Sequence, residues 1–232
     1  MSHAIPLYVG YDPREAACLH VFEQSVIDKA TVPVAFHPLS SKMLSGFDGQ
    51  KDGSNAFIYS RFLVPYLQNY TGWAIFADGD MALVEDIAKL WALRDEFIVN
   101  KAVCVVKHEY QTRHPRKYIG TPMEADNVSY PRKNWSSVML WNCAHMANRI
   151  LTPELVAESP GSFLHRFSWL NDNQIGELPP EWNVLVGEQE TSMASLLHYT
   201  LGAPGFSNYK YCDASEHWHR AKRNATHMEG ER

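Results

Sequence analysis

Short apolar runs closed by Gly, Pro, Asp or Asn alternate along the chain with stretches whose apolar residues recur every three or four positions. The first kind of segment reads as a strand buried on both faces, the second as a helix with one face laid on a core. Strands are expected at residues 5–10, 32–39, 73–77, 102–107, 135–142 and 181–186. Helices are expected over 13–29, 56–70, 85–93 and 148–167. In the first helix Ala16, Leu19, Val21, Phe22, Val26 and Ile27 form the apolar face. Its start carries Asp12 as N-cap, Pro13 in the first helical position and Glu15 closing a capping box. Pro65 is expected to kink the second helix, and Thr152-Pro153 opens a segment of the last. Residues 40–54 and 110–133 are polar and rich in turn formers, and read as loops.

The centre of this pattern is 73–83, W-A-I-F-A-D-G-D-M-A-L. Five mostly apolar residues end at once in Asp78-Gly79-Asp80. In open α/β sheets, ligands collect beyond the carboxyl ends of such strands. Residues i and i+2 of an extended chain face the same side, so the two carboxylates can converge, and Gly79 lets the chain turn sharply and approach a ligand. Two hard oxygen donors, with water or phosphate completing the shell, suit Mg²⁺ or Mn²⁺. Asp-Gly-Asp is also an ordinary turn, so the rest of the chain has to decide.

Other segments add candidates, each with a plainer alternative. Tyr8, Tyr11 and Asp12 stand where strand meets helix, a place to stack and hydrogen-bond a base, or they only pack and cap. Arg61 is the one charge in an apolar helix ahead of the central strand and has Asp78 and Asp80 as its nearest candidate partners. The 110–133 stretch is long and basic, with Arg113, His114, Arg116, Lys117, Arg132 and Lys133, and reads either as a lid over a site or as a solvated surface. Ser136 and Ser137 leave room for a ligand at the start of a strand. Asn171-Asp172-Asn173-Gln174 is a polar cluster or merely a helix cap. His198 ends an apolar approach and is either a satisfied core residue or a nitrogen ligand for a metal at Asp80.

Composition narrows the class. With 232 residues, 45% of them hydrophobic and 20% charged, the chain suits one large α/β domain. A net charge of −5 argues against a general nucleic-acid partner. Of the four cysteines, none form a C-x-x-C pair, and Cys104 and Cys143 sit in apolar runs as expected free thiols of a reducing compartment. No signal peptide and no apolar run of membrane-spanning length are visible, so the expected location is the cytoplasm, free or peripheral to a membrane. Residues 213–232 read as a polar, poorly ordered tail behind a single domain at 1–212.

Taken in order, I-Y-S-R-F-L-V-P-Y-L (58–67), W-A-I-F-A-D-G-D (73–80), W-S-S-V-M-L-W-N (135–142), N-D-N-Q-I (171–175) and L-L-H-Y-T-L-G (196–202) resemble the GT-A glycosyltransferases, and within them family 8, that of glycogenin and the lipopolysaccharide galactosyltransferases. The resemblance spans roughly residues 7–205. It implies an αβα fold with a mainly parallel sheet, a UDP-sugar donor, Mn²⁺ (or Mg²⁺), retention of configuration, and a glycan, lipid-linked or protein acceptor. It implies a D-x-D motif of Asp78, Gly79 and Asp80, with Asp80 the firmer metal ligand and His198 the later one. It places Tyr8, Gly10, Tyr11 and Asp12 at the uridine, and Arg61, Ser136 and Ser137 near the donor sugar. Gly202 falls in the family's late donor-binding segment, and Asp172 and Asn173 match a catalytic pair beside the sugar. The chain departs from the family in Trp135-Ser136-Ser137, in Asn173, and in lacking the diphosphate-binding lysine after the histidine; Lys210 or a residue of 113–133 is the candidate substitute. Two other readings remain: a GT-A protein that binds a nucleotide sugar or glycan without transferring it, and a haloacid-dehalogenase-like phosphatase with Asp78 as nucleophile and Asp80 as acid.

Overall fold

A computed structural model describes residues 4–47, 55–97 and 100–227. The strands are β1 (Ile5–Gly10), β2 (Val34–Leu39), β3 (Trp73–Ala77), β4 (Met81–Leu83), β5 (Val103–Val105), β6 (Arg116–Lys117), β7 (Ala125–Asp126), β8 (Val138–Asn142), β9 (Ile175–Glu177), β10 (Val184–Leu185) and β11 (Leu196–His198). The main sheet has the order β2-β1-β3-β8-β5-β9, and only β8 runs against its neighbours. A smaller sheet, β10-β11-β4, stands beyond the end of β3, and β6 pairs with β7 as a hairpin. Pro38 lies within β2, which tolerates a missing donor because it is the sheet's edge.

The helices are α1 (Ala16–Ile27), α2 (Val64–Leu67), α3 (Ile87–Ala92), α4 (Pro153–Glu158), α5 (Gly161–His165) and α6 (Ser215–Ala225). Period-two alternation in the strands sends side chains to two cores. Tyr8, Ala74, Phe76, Met139 and Trp141 face α2, α4 and α5, with Val64, Val156 and Leu164 behind them. Leu7, Val9, Ile75, Ala77 and Leu140 face α1 and α3, against Leu19, Phe22, Ile87 and Leu90. This is the expected α/β sandwich with a mainly parallel sheet. All four cysteines are free, and Cys104 and Cys143 are buried, as expected.

Several boundaries differ from the sequence reading for local reasons. The 56–70 segment is not one kinked helix: Ser60–Leu63 is a 3₁₀ turn, and Pro65 falls in the first turn of α2, where a missing N–H costs nothing. Trp135–Ser137 is also 3₁₀, entered through left-handed Asn134 (φ 63°), so β8 starts only at Val138. Pro180–Asn183 likewise curls before the short β10. Part of the expected 40–54 loop lies outside the described residues. The tail is corrected as well: α6 is ordered against α1, with Trp218 and Ala221 buried beside Cys18, Val21 and Tyr199. An isolated helix this short is marginal. Burying one Trp contributes about 4–6 kcal/mol by area, enough to hold it.

Candidate active site

Strand pairing assembles the site. Ala77 at the end of β3 lies opposite Val138, and one step further Asp78 N donates to Ser137 O at 2.9 Å. The chain then turns at Gly79, where a Cβ would collide with the carbonyl oxygen of Gly10, so no larger residue fits between the two aspartates. It resumes as β4, where Met81 stands opposite His198 of β11, and Tyr199 N donates to Asp80 O at 2.9 Å. Asp78 is therefore tied to the main sheet, Asp80 to the small one, and the same pairing delivers His198. One ligand atom from each of Asp78, Asp80 and His198 lies within 4.8 Å of the others, and all three residues are buried.

Hydrogen bonds fix how these groups point. Asn183 Nδ2 donates to Ser137 Oγ at 2.9 Å and to Asn134 O at 3.2 Å, which turns its Oδ1 toward His198 Nδ1 at 3.1 Å. Nδ1 must then carry the proton. Nε2 is left facing Asp80 Oδ1 at 3.4 Å and Asp78 Oδ2 at 3.9 Å. Asp80 Oδ1 is buried without a hydrogen bond. Two carboxylates and an imidazole nitrogen brought together in a buried site are donor types that divalent cations take, so the donor set fits a metal ion.

The two carboxylates differ. Asp78 Oδ1 is ion-paired to Arg61 Nη1 at 2.8 Å, and Arg61 also donates to Ser136 O at 2.9 Å while its guanidinium lies over the Phe57 and Phe76 rings. Burial raises the Asp78 carboxyl to about 6, with Arg61 acting against it. Asp80 meets the same burial, but His198 and the Tyr118 hydroxyl, which donates to Asp80 Oδ2 at 2.7 Å, outweigh it and hold the group at about 2. On the other side of Tyr118, at 3.1 Å, is Glu15. Burial, then the charge of Asp80, pushes the Glu15 carboxyl well above its usual range.

These groups line a cavity of about 340 Å³, at the lower end of small-molecule sites. Its sheet-borne wall is Arg61, Asp78, Asp80, Ser136, Ser137 and His198. Lys117, Tyr118, Met123 and Tyr130 from the 110–133 segment form a second wall, and Gly161, Ser162, His165 and Arg166 a third. Ser136 Oγ is 2.7 Å from His165 Nδ1. Burial and the neighbouring Arg61 lower that histidine to about 3, so it stays neutral.

Other expected site residues lie elsewhere. Asp12 is buried and wholly engaged: Arg14 donates to it through N, Nε and Nη2, and Ala56 N donates to Oδ2. The expected capping box does not form, because the helix opens with a 3₁₀ turn, Pro13–Glu15, that swings Glu15 inward to Tyr118. Tyr8 stacks on His37 and its hydroxyl accepts from Gln68, within the core behind the cavity. Tyr11 packs half-buried against the other core. Gly10 lets Phe57 pack against β1 and lets Gly79 close against its carbonyl. Gly202 (φ 153°) borders a separate pocket with Tyr209 and Leu201. Asp172 and Asn173 are exposed and outside the cavity; Asp172 pairs with Arg132 at 2.5 Å, while Lys101 donates to Asn173 O. The cluster forms its own capping box, Asn171 with Gln174. Glu15, Tyr118, His165 and Asn183 were not singled out for the site by the sequence reading.

The fold is that of the GT-A glycosyltransferases. The WbbM bifunctional glycosyltransferase superposes with a TM-score of 0.66 at 15% identity over 97% of this chain, which spans about half of that protein, 50% of its length. The galactosyltransferase LgtC, solved with donor and acceptor sugar analogs, superposes with a TM-score of 0.57 at 12% identity over 97% of this chain and 98% of its own. This architecture removes the haloacid-dehalogenase reading, and the Arg61 pair leaves Asp78 no free nucleophilic oxygen at Oδ1. No protein-family model matches the chain. Protein CDI of Arabidopsis thaliana is 38% identical over 223 residues, covering 91% of this chain and 83% of that protein. The chain belongs to the protein CDI family. No described helix is long and apolar enough to cross a membrane.

Proposed function

We propose that this protein is a metal-dependent glycosyltransferase of the family 8 type, moving a sugar with retention from a UDP-sugar to an acceptor hydroxyl in the cytoplasm. The observation that carries the reading is the Asp78–Asp80–His198 cluster, with Asp80 Oδ1 free of hydrogen bonds and His198 Nε2 facing both carboxylates, in the wall of a cavity in a GT-A fold. Asp80 and His198 would hold Mn²⁺ or Mg²⁺ most directly, with Asp78 sharing its charge with Arg61. Once bound, the cation supplies charge stabilisation for the departing diphosphate.

In the reaction the acceptor oxygen bonds to the anomeric carbon as the bond from that carbon to the phosphate oxygen breaks. The electron pair stays on the diphosphate, which takes up the acceptor's proton on the same face. Arg61 and Ser136 line the sugar end. Arg61 Nε and His165 Nε2 are buried without hydrogen-bond partners, and sugar hydroxyls are their natural complement. Asp172 and Asn173, outside the cavity, are given no role in this reading.

Calorimetric titration of UDP with Mn²⁺, repeated in EDTA and with GDP and ADP, tests the proposal. Binding of UDP alone, lost in EDTA, is expected; no nucleotide binding in Mn²⁺ overturns it. If UDP binds but no UDP-sugar is turned over, the protein is a binder of nucleotide sugars. Inversion at the anomeric carbon of a product overturns retention.

A further inference from the structure

A diphosphate leaving group carries more negative charge than one divalent ion balances, so the site needs a second cation. Of the two candidates that the sequence offers, Lys210 is misplaced: its ammonium lies over the Tyr211 ring in a shallow groove beside α6, away from the cavity. The basic residues of 110–133 are engaged, with one exception. Arg113 and His114 contact Glu188, and Arg116 pairs with Glu124 and Asp126. Arg132 pairs with Asp172, and Lys133 donates to Asn127 and the carbonyl of Val128. Among the described residues, Lys117 alone of these has no ion pair or side-chain hydrogen bond.

Alternation in the hairpin explains the contrast. Arg116 and Lys117 are successive residues of β6 and face opposite sides. Arg116 turns outward to the acidic residues about β7, while Lys117 lines the cavity beside Tyr118, half-buried. Its charge is felt at both Asp78 and Asp80. Arg166, the other unpaired cation of the cavity, sits on the α5 wall with Ser162 and His165, across from the hairpin.

We propose that Lys117, carried on the β6–β7 hairpin, is the catalytic cation that binds the diphosphate of the donor, replacing a lysine downstream of His198. This rests on the glycosyltransferase reading. It also makes the hairpin part of the donor site, so that the 110–133 segment contributes chemistry and not only cover.

The test compares wild type with Lys117→Ala, Lys117→Arg, Lys210→Ala and Arg166→Ala in calorimetry with uridine, UMP and UDP in Mn²⁺. Lys117→Ala is expected to weaken UDP about 10- to 100-fold while leaving uridine unchanged. Lys117→Arg restores most of that loss, and Lys210→Ala has no effect. A purely structural lysine would move uridine and UDP together. Equal UDP affinity in wild type and Lys117→Ala overturns the proposal, as does a UDP-selective loss in Arg166→Ala alone. Failure of wild type itself to bind UDP instead overturns the functional reading, so the two failures are distinguishable.

Discussion

The two main walls of the cavity are built in different ways. The sheet-borne wall is held from both sides by ladder bonds. Asp78 is fixed to Ser137, Asp80 to Tyr199, and His198 is oriented through Asn183. The wall from 110–133 has only a hairpin of two-residue strands of its own and reaches the rest mostly through side chains. Tyr118 N donates to Leu201 O, its hydroxyl reaches Asp80, and Thr112 and Arg113 lean on Glu188. A wall whose backbone is paired in a sheet can hold ligand atoms to the tolerance a metal needs. A wall pinned at a few points can open and close over a substrate. The proposed metal ligands on the first and the proposed phosphate cation on the second would divide the labour in the way these two constructions suit.

Removing a proposed metal ligand from the fixed wall should have the largest effect. Asp80→Ala is expected to cut turnover by about 10³-fold or more and to abolish Mn²⁺-dependent UDP binding with an unchanged circular dichroism spectrum. Persistence of metal-dependent binding would place the ion elsewhere and dissolve the contrast. A smaller effect is expected one layer back. Asn183 is fully buried and touches neither cavity nor metal ligand atom, yet it alone decides which His198 nitrogen carries the proton. Asn183→Ala should weaken Mn²⁺ binding about 10- to 100-fold, read by direct metal titration. If affinity stays unchanged while stability falls, Asn183 only fills space and the fixed wall does not depend on this brace.

What the sequence revealed, and what it hid, follows the same division. The central strand and its Asp-Gly-Asp end were legible because an apolar run and the turn after it are local features. Arg61 was legible as a lone charge on an apolar segment, and it pairs with Asp78 as expected. Tyr118 was not, since its partners Glu15 and Asp80 are 103 and 38 residues away, and nothing in a polar loop marks one tyrosine as turned inward. Asn183 looked like part of a strand until Pro180 curled the chain. Glu15 was misread because Asp-Pro-Arg-Glu satisfies a local capping pattern that the 3₁₀ turn redirects. At 171–174 the cluster forms its own capping box, Asn171 with Gln174, a local pattern that a polar run shares with a site. The helix at 215–225 escaped because its composition is polar and its one large apolar anchor, Trp218, finds its pocket only on the folded α1.

Glu15 gives the finest test, because it lies between the walls. Its carboxyl is buried against Tyr118 with Asp80 beyond, and Asp12, Asp78 and Cys18 also act on or respond to its charge. Arg14, its neighbour in the chain, feels its charge, but burial and the surrounding carboxylates outweigh that. Its folded pKa is raised above the unfolded value, so the folded state binds the extra proton. Stability from this group is then fully present below about pH 4.3 and falls as pH rises toward the folded value. A glutamine keeps the shape and the bond to Tyr118 but has no proton to lose. Metal-free Glu15→Gln should therefore melt close to wild type near pH 4 and above it near pH 7.5, the gap widening as pH rises, with far less effect on turnover than Asp80→Ala. A gap that is constant with pH, or that reverses, would mean that Glu15 is ionised in the folded protein. The single Tyr118 proton, donated to Asp80, would then leave a charged Glu15 beside it, and the movable wall would meet the fixed one across repulsion between carboxylates instead of through a neutral relay.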